Sequence, residues 1–353
     1  MIIIHAGMHK TGSSSIQETF AKLDGNRVDY APWRAANHSG LFFTLFHSSP
    51  EKQGGFRLVS TSPDEIGKSR DTWGKRFRQM LERRREQQTT RPMIISTETV
   101  SSAATGREEA VEKMADYLRS HSSEDVRVIA YVRPPRSLMS SGFQQVIKSG
   151  RGLNLAKYGN RPNYRARFEK LDRIFGRENV TLKLFQRDSD VVLDFAHEIG
   201  IALDPGGVVR TNESMSLEAT AMLYVHTRLG NGFQPRTRDE RLRLVRFVDR
   251  LSKLGTRRFV LSDTLTDPLI EANRADLDWM EARLGAPLSE PPVPQGQGVE
   301  GEAHLINAAI AARPLIEQEI ADLSGPDTPA FKTPASDAPA YELARRLDLL
   351  KDF

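Results

Sequence analysis

The sequence predicts an α/β fold: a central parallel sheet flanked by helices in three layers, with a helix-rich C-terminal part. Three observations carry the prediction. Short apolar runs alternate with amphipathic stretches through the first half of the chain, as parallel strands joined by helical crossovers would. The first run leads straight into a glycine-bearing loop and then a helical pattern. After about Arg210 strand signals fade and helical ones dominate.

Strands are predicted at Ile2 to His5, Met93 to Ser96, Val126 to Val132 and Val180 to Phe185. Helices are predicted at Ser13 to about Leu23, Trp73 to Glu86, Glu108 to Arg119, Arg136 to Lys148, Tyr164 to Phe175 and Val191 to Ile199. Arg83, Arg84 and Arg85 give the second helix a basic, solvated end, and Thr105 with Glu108 makes a capping box for the third. Four more helices follow at Leu217 to Leu229, Glu240 to Leu254, Leu269 to Leu284 and Ala303 to Leu323. "APLSEPPVPQGQGVEGE" from Ala286 and "SGPDTPAFKTPASDAPA" from Ser324 read as surface loops or linkers.

At 353 residues the chain can bury one large core or two domains. The absence of cysteine excludes disulfides, cysteine-ligated zinc and a thiol nucleophile, and fits a reducing, cytoplasmic setting. The opening apolar run ends at His5, as in a buried strand and unlike a secretory signal. No stretch approaches the roughly 18 apolar residues of a membrane span, so a soluble chain is expected. The net charge of +4 is unevenly spread: from Arg127 to Arg187 fourteen Lys and Arg face three acids, while from Ala286 onward five face eleven. The middle of the chain is read as facing anions and the C-terminal part as a solvated exterior.

"MIIIHAGMHKTGSSSIQETF" places four residues between Gly7 and Gly12, with Ser13 and Ser14 after them, the frame of a phosphate-binding loop. The lysine that should follow the second glycine is absent and stands instead at Lys10. A strand, this loop and then a helix would converge backbone N–H groups on a helix N-terminus, a ready anion site. A kinase or ATPase should also offer an apolar strand ending in Asp to help hold magnesium. "VIAYV" ends at Arg133, "VTLKLF" runs into Gln186, and "PMIIS" leads to Thr97 and Glu98, so none supplies it. A phosphate-containing donor bound by cationic side chains without a metal is the better reading, and no histidine pair has metal-binding i, i+4 spacing.

"HKTGSSSIQ" resembles the 5′-phosphosulfate loop of sulfotransferases that use 3′-phosphoadenosine-5′-phosphosulfate, with the displaced lysine as its distinguishing mark. "VIAYVRPPRSLMSSGF" is similar to that family's 3′-phosphate motif, with Arg133 followed eight residues later by Ser141. "YRARFEKLDRIFGRENVTLKLFQRDS" and "RTNESMS" extend the resemblance, more weakly, to about residue 230. It implies a P-loop-like fold and one sulfotransferase domain over 1–325, with an α/β core at 1–210 and a helical portion at 211–325. Residues 326–353 would then be a linker and a helical tail. It also implies donor contacts from Lys10, Thr11, Gly12, Ser13, Ser14 and Ser15, with Arg133 and Ser141 on the 3′-phosphate. The product would be 3′,5′-adenosine bisphosphate, with no metal required.

Transfer of a sulfuryl group needs charge stabilisation on the leaving phosphate and a base for the acceptor's proton. Lys10 is the electrostatic partner for the bridging oxygen. Glu98 is the candidate base, since it follows a strand at the sheet edge where such folds hold ligands, and it resembles the catalytic Glu of heparan-type members. Thr99 stands where many of those have Lys. His38 competes for the role, while His5 and His9 are read as packing groups. The basic stretch around Trp73 and Phe77 carries no nucleic-acid motif. The acceptor, whether glycan, lipid or small molecule, and the oligomeric state are not legible. Two other readings stay open: a small-molecule kinase with a degenerate loop, and a binding protein that keeps the nucleotide pocket without chemistry.

Overall fold

The computed structural model describes residues 1–8, 10–53, 62–150, 152–155, 158–159, 161–186, 189–211, 214–230, 232, 235, 237–324 and 339–350. The chain divides into two compact units, Met1–Pro134 with Asn163–Asn212 and Ala275–Leu288, and Pro135–Pro162 with Glu213–Arg274 and Ser289–Phe353. Strands are β1 Ile2–His5, β2 Asp29–Tyr30, β3 Met93–Ser96, β4 Val126–Val132 and β5 Val180–Leu184. The first helices are α1 Ser13–Ala21, α2 Ser39–Phe46, α3 Pro63–Glu86, α4 Arg107–His121, α5 Pro135–Lys148, α6 Tyr164–Phe175 and α7 Val191–Glu198. They are followed by α8 Leu217–Leu229, α9 Arg238–Ser252, α10 Asp263–Glu271, α11 Arg274–Leu284, α12 Glu302–Ala311, α13 Arg313–Ser324 and α14 Pro339–Leu350.

The first unit is built on a five-stranded, all-parallel sheet in the order β2-β3-β1-β4-β5. Successive strand residues face opposite ways. Ile3, Ile94, Ile129 and Tyr131 form one core with Ile16 and Phe20 of α1 and Phe195 and Ile199 at α7. The alternate residues Ile4, Ile95, Val128 and Ala130 are buried too, and α6 packs on β4 and β5 with α4 against it. A parallel sheet covered on both faces needs such unbroken apolar runs, which is why these strands were legible.

β2 and α2 have no counterpart in the sequence reading. β2 is two residues long, too short for any period, and its Asp29 is ion-paired to Arg84. Arg84 therefore departs from the solvated role expected of it: it is 3% exposed and also bonds Glu124 and the Arg91 carbonyl. α2, "SGLFFTLF", lies against α3 and α4, and a helix this apolar shows no polar stripe to read. α3 starts at Pro63, well before Trp73, with Pro in its first turn alongside Asp64 and Glu65. The Thr105–Glu108 capping box does not form, because Gly106 caps α4 at φ 75° and Glu108 pairs with Arg173.

Two predicted C-terminal helices are each broken in two. Asn273 turns its side chain onto the Leu269 carbonyl, 2.6 Å away, and ends α10. Pro314 lacks an amide hydrogen, so the chain restarts as α13 after Ala312. In the second unit α8 is buried almost all round, with α5, α9, α12 and α14 packed against it. Residues 325–338 of the predicted linker, and Asn212 and Glu213 of "RTNESMS", lie outside the described residues. Among the described residues no helix is long and apolar enough to cross a membrane.

Candidate active site

The sheet order sends the chain from β1 toward β2 on one side and from β4 toward β5 on the other. The carboxyl ends of β1 and β4 therefore lie where the strand order reverses, the place where open α/β sheets hold ligands. The loop from Ala6 to Gly12 leaves β1 there, and Arg133 follows β4.

The loop is shaped by two glycines. A Cβ on Gly7 would lie 2.8 Å from Ser13 Oγ and 3.0 Å from His5 Nε2, so the backbone approaches the start of α1 more closely than any side chain allows. Gly12 stands at φ 75°, and a Cβ there would sit 2.4 Å from Val191 Cγ1. Lys10 also takes a left-handed conformation, φ 66°, uncommon for a residue with a side chain. Gly12 caps α1 without any side-chain bond, and the first turn holds no acid. Ile16 is bonded back to Gly12, and among the described residues the Ser13, Ser14 and Ser15 amides are the open donors of the helix terminus.

The hydroxyls divide their work. Thr11 Oγ1 and Ser13 Oγ donate to the Met8 carbonyl at 2.8 and 3.3 Å and so close the loop on itself. Ser15 Oγ accepts from the Thr211 amide at 3.1 Å, while Ser14 is half-buried. His9 lies outside the described residues.

Three charged side chains meet at this edge. Lys10 is half-buried, and burial lowers its pKa; Glu98 opposes that drop and Arg133 adds to it. Arg133 is 4% exposed, donates to the Lys10 carbonyl, and lies 5.6 Å over the Phe185 ring. Its own carbonyl accepts from Tyr164 Oη at 2.6 Å. Glu98 is half-buried just beyond β3, where Ser101 Oγ ties the Glu98 and Gly7 carbonyls together at 3.1 Å each. The field of Glu98 also reaches His5, but burial dominates there and holds the imidazole neutral, its pKa down to about 4.

His38 has a different setting. Its amide donates to the Ser96 carbonyl and its Nδ1 accepts from the Ser96 amide, both at 2.9 Å, and its ring packs on Tyr30. It is 1% exposed, with its pKa pushed down by burial to about 3. Since Nδ1 accepts, Nε2 carries the proton of the neutral ring. Ser141 lies in α5 of the second unit, buried, with Oγ donating to the Leu138 carbonyl at 3.1 Å.

The structure thus brings together Lys10, Glu98 and Arg133 with the Thr11–Ser15 turn. Sequence reasoning missed Val191, Thr211, Ser101 and Phe185, which no local spacing connects to the loop. Among the described residues no group of three or more His, Asp or Glu could hold a metal ion.

No protein-family model and no curated protein matches the chain. Among solved structures, a sulfotransferase from Alicyclobacillus acidocaldarius is similar at 14% identity and a TM-score of 0.44, covering 80% of this chain and 95% of that one. That likeness is too slight to carry an activity from one chain to the other.

Proposed function

We propose that the protein is a sulfotransferase that moves a sulfuryl group from 3′-phosphoadenosine-5′-phosphosulfate to an acceptor hydroxyl or amine. The observation that carries the reading is a half-buried lysine set between an acid and an arginine, at the mouth of an uncapped helix. The glycine-lined turn fits a donor phosphate, because the open α1 amides and the cationic Lys10 are the groups that neutralise one. Arg133 is assigned to the 3′-phosphate.

In this reading the S–O bond to the phosphate breaks as the bond to the acceptor oxygen forms. Lys10 meets the charge that develops on the leaving phosphate oxygen. Glu98 accepts the acceptor's proton, since a carboxylate at the sheet edge has lone pairs to offer. Neutral His38 does not serve, with its accepting nitrogen already bonded inside the fold. We assign His38 to holding the start of α2 against β3.

Labelled donor incubated with an acceptor panel tests the reading. Label moving to a hydroxyl or amine, with 3′,5′-adenosine bisphosphate released, is the expected result. Magnesium-dependent turnover of ATP instead would make it a kinase. Tight binding of the bisphosphate with no transfer to any acceptor would leave a binding protein.

A further inference from the structure

Beyond Glu98, the first unit gathers three cations around the loop that leads into α4. The Lys170 side chain is buried, and its ammonium donates to the Ser102 carbonyl. Arg167 Nη1 lies 3.5 Å from the Ser101 carbonyl. Arg107, the first residue of α4, stacks 4.4 Å over Phe43 and donates Nη2 to the side-chain oxygen of Gln53 at 2.7 Å. Its Nε and Nη1 are buried without a partner.

The charges act on one another. Burial chiefly, with Arg167 and Arg107 adding to it against Glu108, brings Lys170 down to about 8. Burial lowers Arg107 and Arg167 as well. Among the described residues no carboxylate pairs with Arg107 or Lys170: Glu108 is committed to Arg173 and Glu109 to Lys113, both at exposed positions. Buried cations are ordinarily paired, and an unpaired one is costly. Arg167 is faced by Asp276, so the mismatch is an excess of positive charge at Arg107 and Lys170, beside the segment that carries Glu98.

We propose that Arg107, Lys170 and Arg167 form a binding subsite for an oxyanion, a sulfate, carboxylate or phosphate group. The anion comes either from the acceptor or free from solution. Its role as an acceptor subsite rests on the sulfotransferase reading, whereas the binding itself does not.

The test titrates inorganic sulfate into the full chain in the presence of 3′,5′-adenosine bisphosphate, by calorimetry and by thermal unfolding. Arg107→Gln and Lys170→Met should each weaken sulfate binding about 10- to 100-fold. In sulfate-free buffer Lys170→Met should melt no lower than the parent, because it removes a buried charge that no carboxylate pairs with among the described residues. A lysine that only braces the loop would melt lower when removed. A second arm compares a uronic acid with its neutral sugar as acceptor. If the acceptor carries the anion, the parent favours the acid by KM and both variants lose that preference; if the ion is free, sulfate binds but no preference exists. Sulfate binding that is absent from the parent, or equal in all three proteins, overturns the subsite. Absence of transfer to any acceptor, with sulfate binding still lost in the variants, overturns only the sulfotransferase reading.

Discussion

Gly12→Ala tests whether the loop geometry is what makes the site. The added Cβ would meet two separate penalties. Holding alanine at the φ of 75° seen for Gly12 costs about 1–2 kcal/mol. Contact with Val191 Cγ1 at 2.4 Å adds overpacking of about 1–3 kcal/mol. The substitution should therefore destabilise by about 2–5 kcal/mol, read from the urea midpoint at constant m. Val191→Ala removes Cγ1 and leaves Val191 Cβ at 3.7 Å, an ordinary contact. In that background Gly12→Ala should cost only the backbone part, so the double-mutant cycle should show a coupling of about 1–3 kcal/mol. Gly12→Ala should also weaken 3′,5′-adenosine bisphosphate, since the turn presents the α1 amides. Equal destabilisation in both backgrounds would refute the packing argument, and undiminished bisphosphate affinity in a folded Gly12→Ala protein would refute the cradle.

Arg133→Ala should weaken 3′,5′-adenosine bisphosphate by about 10- to 100-fold more than 5′-AMP in calorimetry, the loss of one charged hydrogen-bonding partner. Equal losses would leave Arg133 only as the tether of the Lys10 carbonyl. Glu98→Gln should lower turnover by about 10²–10⁴-fold with donor affinity nearly intact, and by less for phenols, which give up their proton readily. If Glu98→Gln keeps near-normal turnover on an aliphatic alcohol while a folded His38→Asn protein is inactive, the base is His38. Stability should fall as pH drops from about 6.5: His38 and His5 are buried neutral, with pKa values held to about 3 and about 4 by burial, so the unfolded chain binds the extra protons. Each contributes up to about 1.4 kcal/mol per pH unit in that window, and His38→Asn should flatten the slope of unfolding free energy against pH.

The sequence by itself determined the four longer strands and the glycine- and lysine-bearing turn from β1 into α1. Those features are local: an unbroken apolar run, a glycine pair at fixed spacing, and a lysine within the turn. It did not determine β2 or α2, because two residues hold no period and an apolar helix has no stripe. It also misjudged Arg84, whose burial depends on Asp29 and Glu124, distant in the chain. Only the tertiary structure decided that Lys10, Glu98 and Arg133 share one field, because that follows from strand order. β1 sits between β3 and β4, so the residues beyond three strand ends are brought to one edge. The same holds for His38, whose sequence allows a base and whose burial against Ser96 keeps its ring neutral, since desolvation penalises the imidazolium.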